Sequence, residues 1–178
     1  MPFKNFILRL RNYFYPLPEL ENLAMPTPSA EQKKISFIPP LVSGKTFVDT
    51  SKPLPDYIYT LLLWAETRST LEVPGNKAVG DIELQHKAWG SLQIRAPYLR
   101  DSNEFMKTSY TIDDCWKSFE VSRRVVDGYM RRYVTKKRLS REPNVEDVCR
   151  AHNGSGSFFK KLHTTDKYWV SIKQQFDL

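Results

Sequence analysis

The chain has 178 residues, 40% hydrophobic, 13% aromatic and 26% charged, a balance that suits one folded domain with a core and excludes a wholly disordered chain. Its 27 basic and 20 acidic residues leave a formal charge of +7 and a pI near 9.4, which favours an anionic partner (nucleic acid, an anionic bilayer or an acidic cell wall) without choosing among them. Seven Gly and 12 Pro exclude a collagen-like or Gly-rich architecture, and no run approaches the roughly 18 apolar residues of a membrane span.

Phe3, Phe6, Ile7, Leu10 and Phe14 recur at helical spacing with Lys4, Arg9 and Arg11 between them, so residues 1–15 are expected to form a short basic amphipathic helix that packs on the body or docks on a partner or membrane surface, with disorder as the alternative. The two arginines interrupt the apolar run and no small-residue cleavage site follows, so no secretory signal is expected. Residues 16–52 carry Pro16, Pro18, Pro26, Pro28, Pro39 and Pro40, and read as an extended arm because proline fixes φ and removes a backbone donor.

The domain proper is expected over 53–178. Asp56 is placed to cap a helix running to Arg68 through Tyr57, Leu61, Leu62, Trp64 and Ala65. Residues 71–95 hold Pro74-Gly75-Asn76 and Gly80-Asp81 among short alternating runs, Ile82 and Leu84, then Leu92 and Ile94, the pattern of a small β-hairpin region. One long helix is expected over 112–134, with Trp116, Phe119, Val125, Val126, Tyr129, Met130 and Tyr133 inward and Gly128 allowing close helix packing. Asn144 followed by Asp147 opens another helix ending at Asn153-Gly154, and Thr165 opens a last one through Tyr168, Trp169, Ile172 and Phe176. The fold class is α+β, mainly helical, with the β element early. Cys115 and Cys149 read as buried thiols, with a bridge between them as the alternative, and neither they nor His86, His152 and His163 show metal-ligand spacing.

Glu66 lies on or beside the apolar side of the first helix, one turn from Leu62 and Leu63. Desolvation there raises a carboxyl pKa and equips it as a general acid; pairing with Arg68 is the structural alternative. The ordered series that follows is Ala88-Trp89-Gly90-Ser91-Leu92-Gln93-Ile94, Tyr98-Leu99-Arg100-Asp101, Tyr129-Met130-Arg131-Arg132-Tyr133, His152-Asn153-Gly154 and Tyr168-Trp169. Together with the helix-end glutamate it resembles the lysozyme superfamily over residues 56–176. The likeness is greatest to invertebrate-type lysozymes and their bacterial and phage-like relatives, and more distant to goose-type lysozymes and soluble lytic transglycosylases.

The resemblance implies a lysozyme-like domain with a substrate cleft between the helices and the hairpin. It implies a muramidase that cleaves the β-1,4 bond after N-acetylmuramic acid in peptidoglycan glycan strands, without cofactor or metal. Glu66 matches the general acid, and the second carboxylate falls to Asp81 or Glu83, with Asp81 favoured by residue type and Glu83 by distance from Gln93. Glycoside hydrolysis pairs a protonated carboxyl with a carboxylate about 5–5.5 Å away for retention or about 6.5–9.5 Å away for inversion; if neither candidate faces Glu66, a one-acid transglycosylase mechanism remains open. Ser91 and Gln93 are expected to line the cleft, with hairpin scaffolding as the alternative, Tyr98 and Trp89 to stack on sugars, with core packing as the alternative, and Asn153 to meet an N-acetyl group. His152 beside it is a candidate catalytic base, but it sits at a helix end and the lysozyme reading needs no histidine. Ser155-Gly156-Ser157 departs from the family's Gly-Pro continuation.

Two other classes compete with the enzyme. One is an inactive lysozyme-fold structural or wall-binding protein, carried in a virion. The other is a basic nucleic-acid binder, which no accompanying motif supports. Without a signal, the protein is expected to be made in the cytoplasm and to reach a wall by lysis or inside a virion.

Overall fold

A computed structural model describes residues 42–75, 77–82 and 87–178. The expected helix of residues 1–15, residues 16–41 of the arm, and Glu83 lie outside them. The described part is mainly helical with one small antiparallel sheet, an α+β arrangement.

Helix α1 (Asp56–Thr67) is central. Ile58, Tyr59, Leu61, Leu62 and Leu63 are all inaccessible to solvent, so the helix is apolar on more than one face and needs neighbours around it. The cap position belongs to Pro55, in extended conformation, rather than to Asp56. Asp56 is a first-turn carboxylate that accepts from Arg123 at 2.7 Å. Tyr59 donates to Asp127 at 2.7 Å, and Leu54 N–H donates to the same oxygen at 2.9 Å. One half-buried acid thus anchors the entry to α1.

Strands β1 (Val79–Gly80), β2 (Ala88–Trp89) and β3 (Ile94–Arg95) form an antiparallel meander, with Val79 opposite Trp89 and Ala88 opposite Arg95. Gly90 has φ +74°, and a Cβ there would stand 2.4 Å from the Cys115 carbonyl oxygen. Only glycine permits this approach of sheet to helix.

Helix α2 (Ala96–Met106) begins with Pro97 in its first turn, a conformation proline pre-sets; the sequence reading placed no helix here. The helix expected over 112–134 is two: α3 (Ile112–Lys117) and α4 (Phe119–Tyr133). Ser118 between them is extended (φ −133°, ψ 115°), and its hydroxyl accepts from Val121 N–H at 3.3 Å. The serine caps a new helix instead of continuing the old one, although the apolar spacing runs straight through it.

Gly128 is where α4 meets α2. A Cβ there would lie 2.4 Å from Ser102 Oγ and 2.6 Å from Met106 Cγ. Gly128→Ala therefore sets a helix-propensity gain of about 1 kcal/mol against overpacking of about 1–3 kcal/mol. With the Cβ under 3 Å from two neighbours the cost falls at the upper end of that range, so a net destabilisation of up to about 2 kcal/mol is expected by urea denaturation, and an unchanged midpoint would show that the two helices can separate freely.

The short α5 (Lys136–Leu139) leads to α6 (Val145–Gly154), opened by a reciprocal capping box between Asn144 and Asp147. Arg141 donates twice to Asp147, at 2.6 and 2.8 Å. Two 3₁₀ turns, Phe158–Lys160 and Leu162–Thr165, precede α7 (Asp166–Phe176). Residues 44–50, read from the sequence as part of the arm, bond to the start of α6: Val48 N–H to the Pro143 carbonyl, Val145 N–H to Thr46, and Glu146 N–H to Gly44. Packing therefore starts ahead of Pro53. Cys115 and Cys149 are buried free thiols, and burial pushes the Cys115 thiol up to about 12.

Candidate active site

Glu66 occupies the last turn of α1. Arg68 ends that helix in the left-handed region (φ 56°), where its N–H reaches the Trp64 carbonyl at 3.1 Å. Its guanidinium folds back over the Trp64 ring, 3.8 Å from the centroid, and donates to the Trp64 carbonyl at 2.7 Å. Arg68 is thus committed to the helix end and to Trp64. Thr67 Oγ1 donates to the Ser91 carbonyl at 3.3 Å, tying the end of α1 to the β2–β3 turn.

Side chains from α6 and α7 close on the Glu66 carboxyl, leaving its side chain 16% exposed. Tyr168, in the first turn of α7, donates its hydroxyl to Glu66 Oε1 at 2.8 Å. His152, at the end of α6, brings Nε2 to 3.6 Å from the same oxygen. His152 Nε2 also lies 3.1 Å from the Leu92 carbonyl and Nδ1 3.3 Å from Tyr98 Oη. A carbonyl can only accept, so Nε2 carries the ring proton and Nδ1 accepts from Tyr98. Burial pushes the imidazole down to about 4, so the ring is uncharged at neutral pH and the 3.6 Å contact is not an ion pair.

Burial pushes Glu66 up to about 7. The Tyr168 hydrogen bond, Arg95 and Arg68 oppose that rise, while the charge of Asp81 adds to it. With Oε1 occupied by the tyrosine donor, the acid proton belongs on Oε2. The group can hold a proton near neutrality and release it to a basic oxygen, which is the requirement of a general acid. Removing the tyrosine donor removes support for the ionised form. Tyr168→Phe is therefore expected to raise the Glu66 pKa above about 7, measured by carboxyl ¹³C NMR titration; a lower value would mean that the hydroxyl does not favour the carboxylate.

Asp81 is in the left-handed region (φ 52°), just past β1. Its carboxylate is paired with the Arg95 guanidinium. The pair acts electrostatically on Glu66 but leaves Asp81 committed to a cation. Gln93, also left-handed (φ 48°), donates its amide to the Gly90 carbonyl at 2.8 Å, and its Oε1 fills the space where a Cβ of Gly80 would be. Its side chain braces the hairpin. Ser91 is fully buried, with no hydrogen-bond partner for its hydroxyl. Tyr98 stacks on Tyr129, centroids 3.6 Å apart, and meets His152, so one ring face serves the core. Trp89 packs edge-on against Trp116. Asn153 is exposed in the last turn of α6.

Glu66, Tyr98, Asp81 and the hairpin carrying Ser91 and Gln93 thus come together. Tyr168, His152 and Arg95 join them, and sequence spacing alone places none of the three at the carboxyl. Tyr168 stood in the quoted motif series, and His152 beside Asn153 was the available signal for the second. Among the described residues, no group of His, Cys, Asp and Glu is arranged to hold a metal ion. A separate hollow of about 550 Å³ lies along α2 between Ala96 and Thr108, and Glu66 does not line it. No family model matches the chain, and no curated protein is significantly similar to it.

Proposed function

We propose that the chain is a lysozyme-like glycosidase that cleaves the β-1,4 bond between N-acetylmuramic acid and N-acetylglucosamine in peptidoglycan, with Glu66 as general acid. The observation that carries this reading is a carboxyl at a helix end, mostly withdrawn from water and protonated up to about pH 7, beside a small sheet that bears a second acid. Protonation of the bridging oxygen from Oε2 lets the leaving sugar depart as an alcohol, and the resulting carboxylate is held by the Tyr168 hydroxyl. The carboxylate can then take a proton back from the group that attacks the anomeric carbon.

The Arg95 pairing favours one version of this reaction. A carboxylate neutralised by a guanidinium is a weaker nucleophile and a weaker base, so Asp81 is poorly suited to attack the sugar or to activate water. That favours the one-acid route, in which Glu66 serves first as acid and then as base toward the substrate's own hydroxyl and an anhydro-sugar forms. Digestion of purified sacculi tests both statements. Soluble muropeptides with anhydro ends are expected; reducing ends would restore Asp81 or Glu83 to the mechanism. Absence of any soluble product would remove the glycosidase reading and leave a wall-binding or structural role.

A further inference from the structure

The basic residues of the second half differ in their partners. Arg123, Arg132, Arg141 and Arg150 are each paired with carboxylates, those of Asp56, Glu104, Asp147 and the Glu146–Asp166 pair, and so hold elements together. Lys137, Arg138, Lys160 and Lys161 are exposed, and among the described residues none of the four is ion-paired.

Arg138 links the two short stretches that carry them. Arg138 Nη2 donates to the Gly156 carbonyl at 3.0 Å, which pins α5 to the turn after α6. Its guanidinium stands 5.1 Å from the Tyr133 ring centroid and 5.7 Å from that of Phe159. Lys137 precedes Arg138, and Lys160 and Lys161 follow Phe159. Neighbouring cations without carboxylates repel one another and weaken the folded state. Beside them Lys136 is paired with Glu142, which leaves these four as the cations of the two stretches without a carboxylate among the described residues.

We propose that this patch is a binding surface for a flexible phosphodiester polyanion, specifically an anionic polymer attached to the wall glycan. The choice of a wall polymer rests on the glycosidase reading; the polyanion chemistry does not. Nucleic acid fits less well, because single-strand binders offer aromatic faces for base stacking, whereas Tyr133 has Arg132 and Arg138 near its ring and Phe159 has Arg138. A bilayer fits less well, because the adjoining stretch exposes a single large apolar side chain, Leu162, too little for interfacial anchoring. The patch is also placed to be useful: the 155–157 turn continues directly from α6, whose last turn carries His152 beside Glu66. A strand held there keeps the protein next to the glycan while the acid works.

The test measures binding of the full chain to immobilised poly(glycerol phosphate). If four cations engage, the slope of log affinity against log salt is expected near −3, about sixtyfold weaker binding between roughly 50 and 200 mM salt. The triple variant Lys137→Glu/Lys160→Glu/Lys161→Glu is expected to bind at least about tenfold more weakly. Lys45→Glu/Lys87→Glu/Lys173→Glu, with the same net charge, is expected to keep most of the affinity. If the first triple variant loses its circular dichroism signature, the corresponding Gln variant replaces it. Salt-independent binding, or equal losses in the two triple variants, would overturn the proposal. So would tighter binding to duplex DNA or to anionic phospholipid vesicles than to the polymer, since the patch would then serve that partner. Glu66→Gln is expected to bind as the wild type does, so a failure of the glycosidase reading leaves this measurement intact.

Discussion

Glu66→Gln is expected to lower the rate of glycan cleavage by about 10²–10⁴-fold, the usual contribution of a positioned general acid, and at the same time to stabilise the protein above neutrality. Both effects come from one cause. The folded protein holds the carboxyl at about 7, against about 4.5 for a glutamate in water. Between those values the folded state binds the proton and the unfolded state does not, so the stability that Glu66 contributes as a neutral acid is present below about pH 4.5 and is lost as the pH rises through 7. Above pH 7 the folded state carries a desolvated charge at a cost on the order of 3 kcal/mol. Glutamine keeps the shape and the acceptor for Tyr168 without that charge. Thermal unfolding at pH 8 should therefore place the variant above the wild type, and at pH 4 the two should converge. Undiminished cleavage by the variant would remove Glu66 from its role, and identical unfolding curves at pH 8 would show that the carboxyl is solvated. In the wild type, cleavage is expected to decline above about pH 7 as the acid loses its proton.

The sequence discloses local features of this molecule much better than distant ones. Helices α1, α6 and α7 are legible because each carries its own boundary: the apolar run of α1, the Asn144–Asp147 box of α6 and Thr165 ahead of α7. The break at Ser118 is hidden because Trp116 and Phe119 keep helical spacing across it, and the hydroxyl that caps α4 lies inside an uninterrupted apolar pattern. Helix α2 is announced by Pro97, but the segment also holds Tyr98, and attention to a sugar-stacking ring there conceals a helix start. Glu66 is legible because four residues are enough to place a carboxyl beside Leu62. Its partners are not. Tyr168 reaches it across 102 residues of chain, and no spacing rule encodes that meeting. The commitment of Asp81 is hidden for the same reason, since it depends on the meander bringing β1 and β3 to either side of β2 so that Arg95 can reach past the central strand. Residue type makes Asp81 a candidate second carboxylate but does not disclose its pairing with Arg95.

The arrangement of Tyr168 and His152 around the acid depends on one buried cation. The Arg150 side chain is 8% exposed. It donates Nε to Glu146 at 2.7 Å, and Nη1 to Thr165 Oγ1 at 2.9 Å, Asp166 at 2.8 Å and the Leu162 carbonyl at 3.0 Å. It therefore joins α6, which carries His152, to the turn that opens α7, which carries Tyr168. Arg150→Met keeps much of the volume and deletes all four bonds. Removing one partner of a fully buried pair costs about 3–5 kcal/mol. Here Glu146 and Asp166 are 34% and 56% exposed and can rehydrate, so a loss of about 2–3 kcal/mol is expected in urea denaturation. The second consequence reaches the site. With the start of α7 released, Tyr168 loses its fixed approach to Oε1, and the Glu66 pKa is expected to move upward, as in Tyr168→Phe. Arg150→Lys separates the two consequences: it restores a charge but not the planar fork that spans Glu146 and Asp166, so it should recover part of the stability and little of the Glu66 pKa. A variant that loses stability while leaving the Glu66 titration untouched would show that α7 is positioned by its apolar contacts alone, Trp169 and Ile172 against the core.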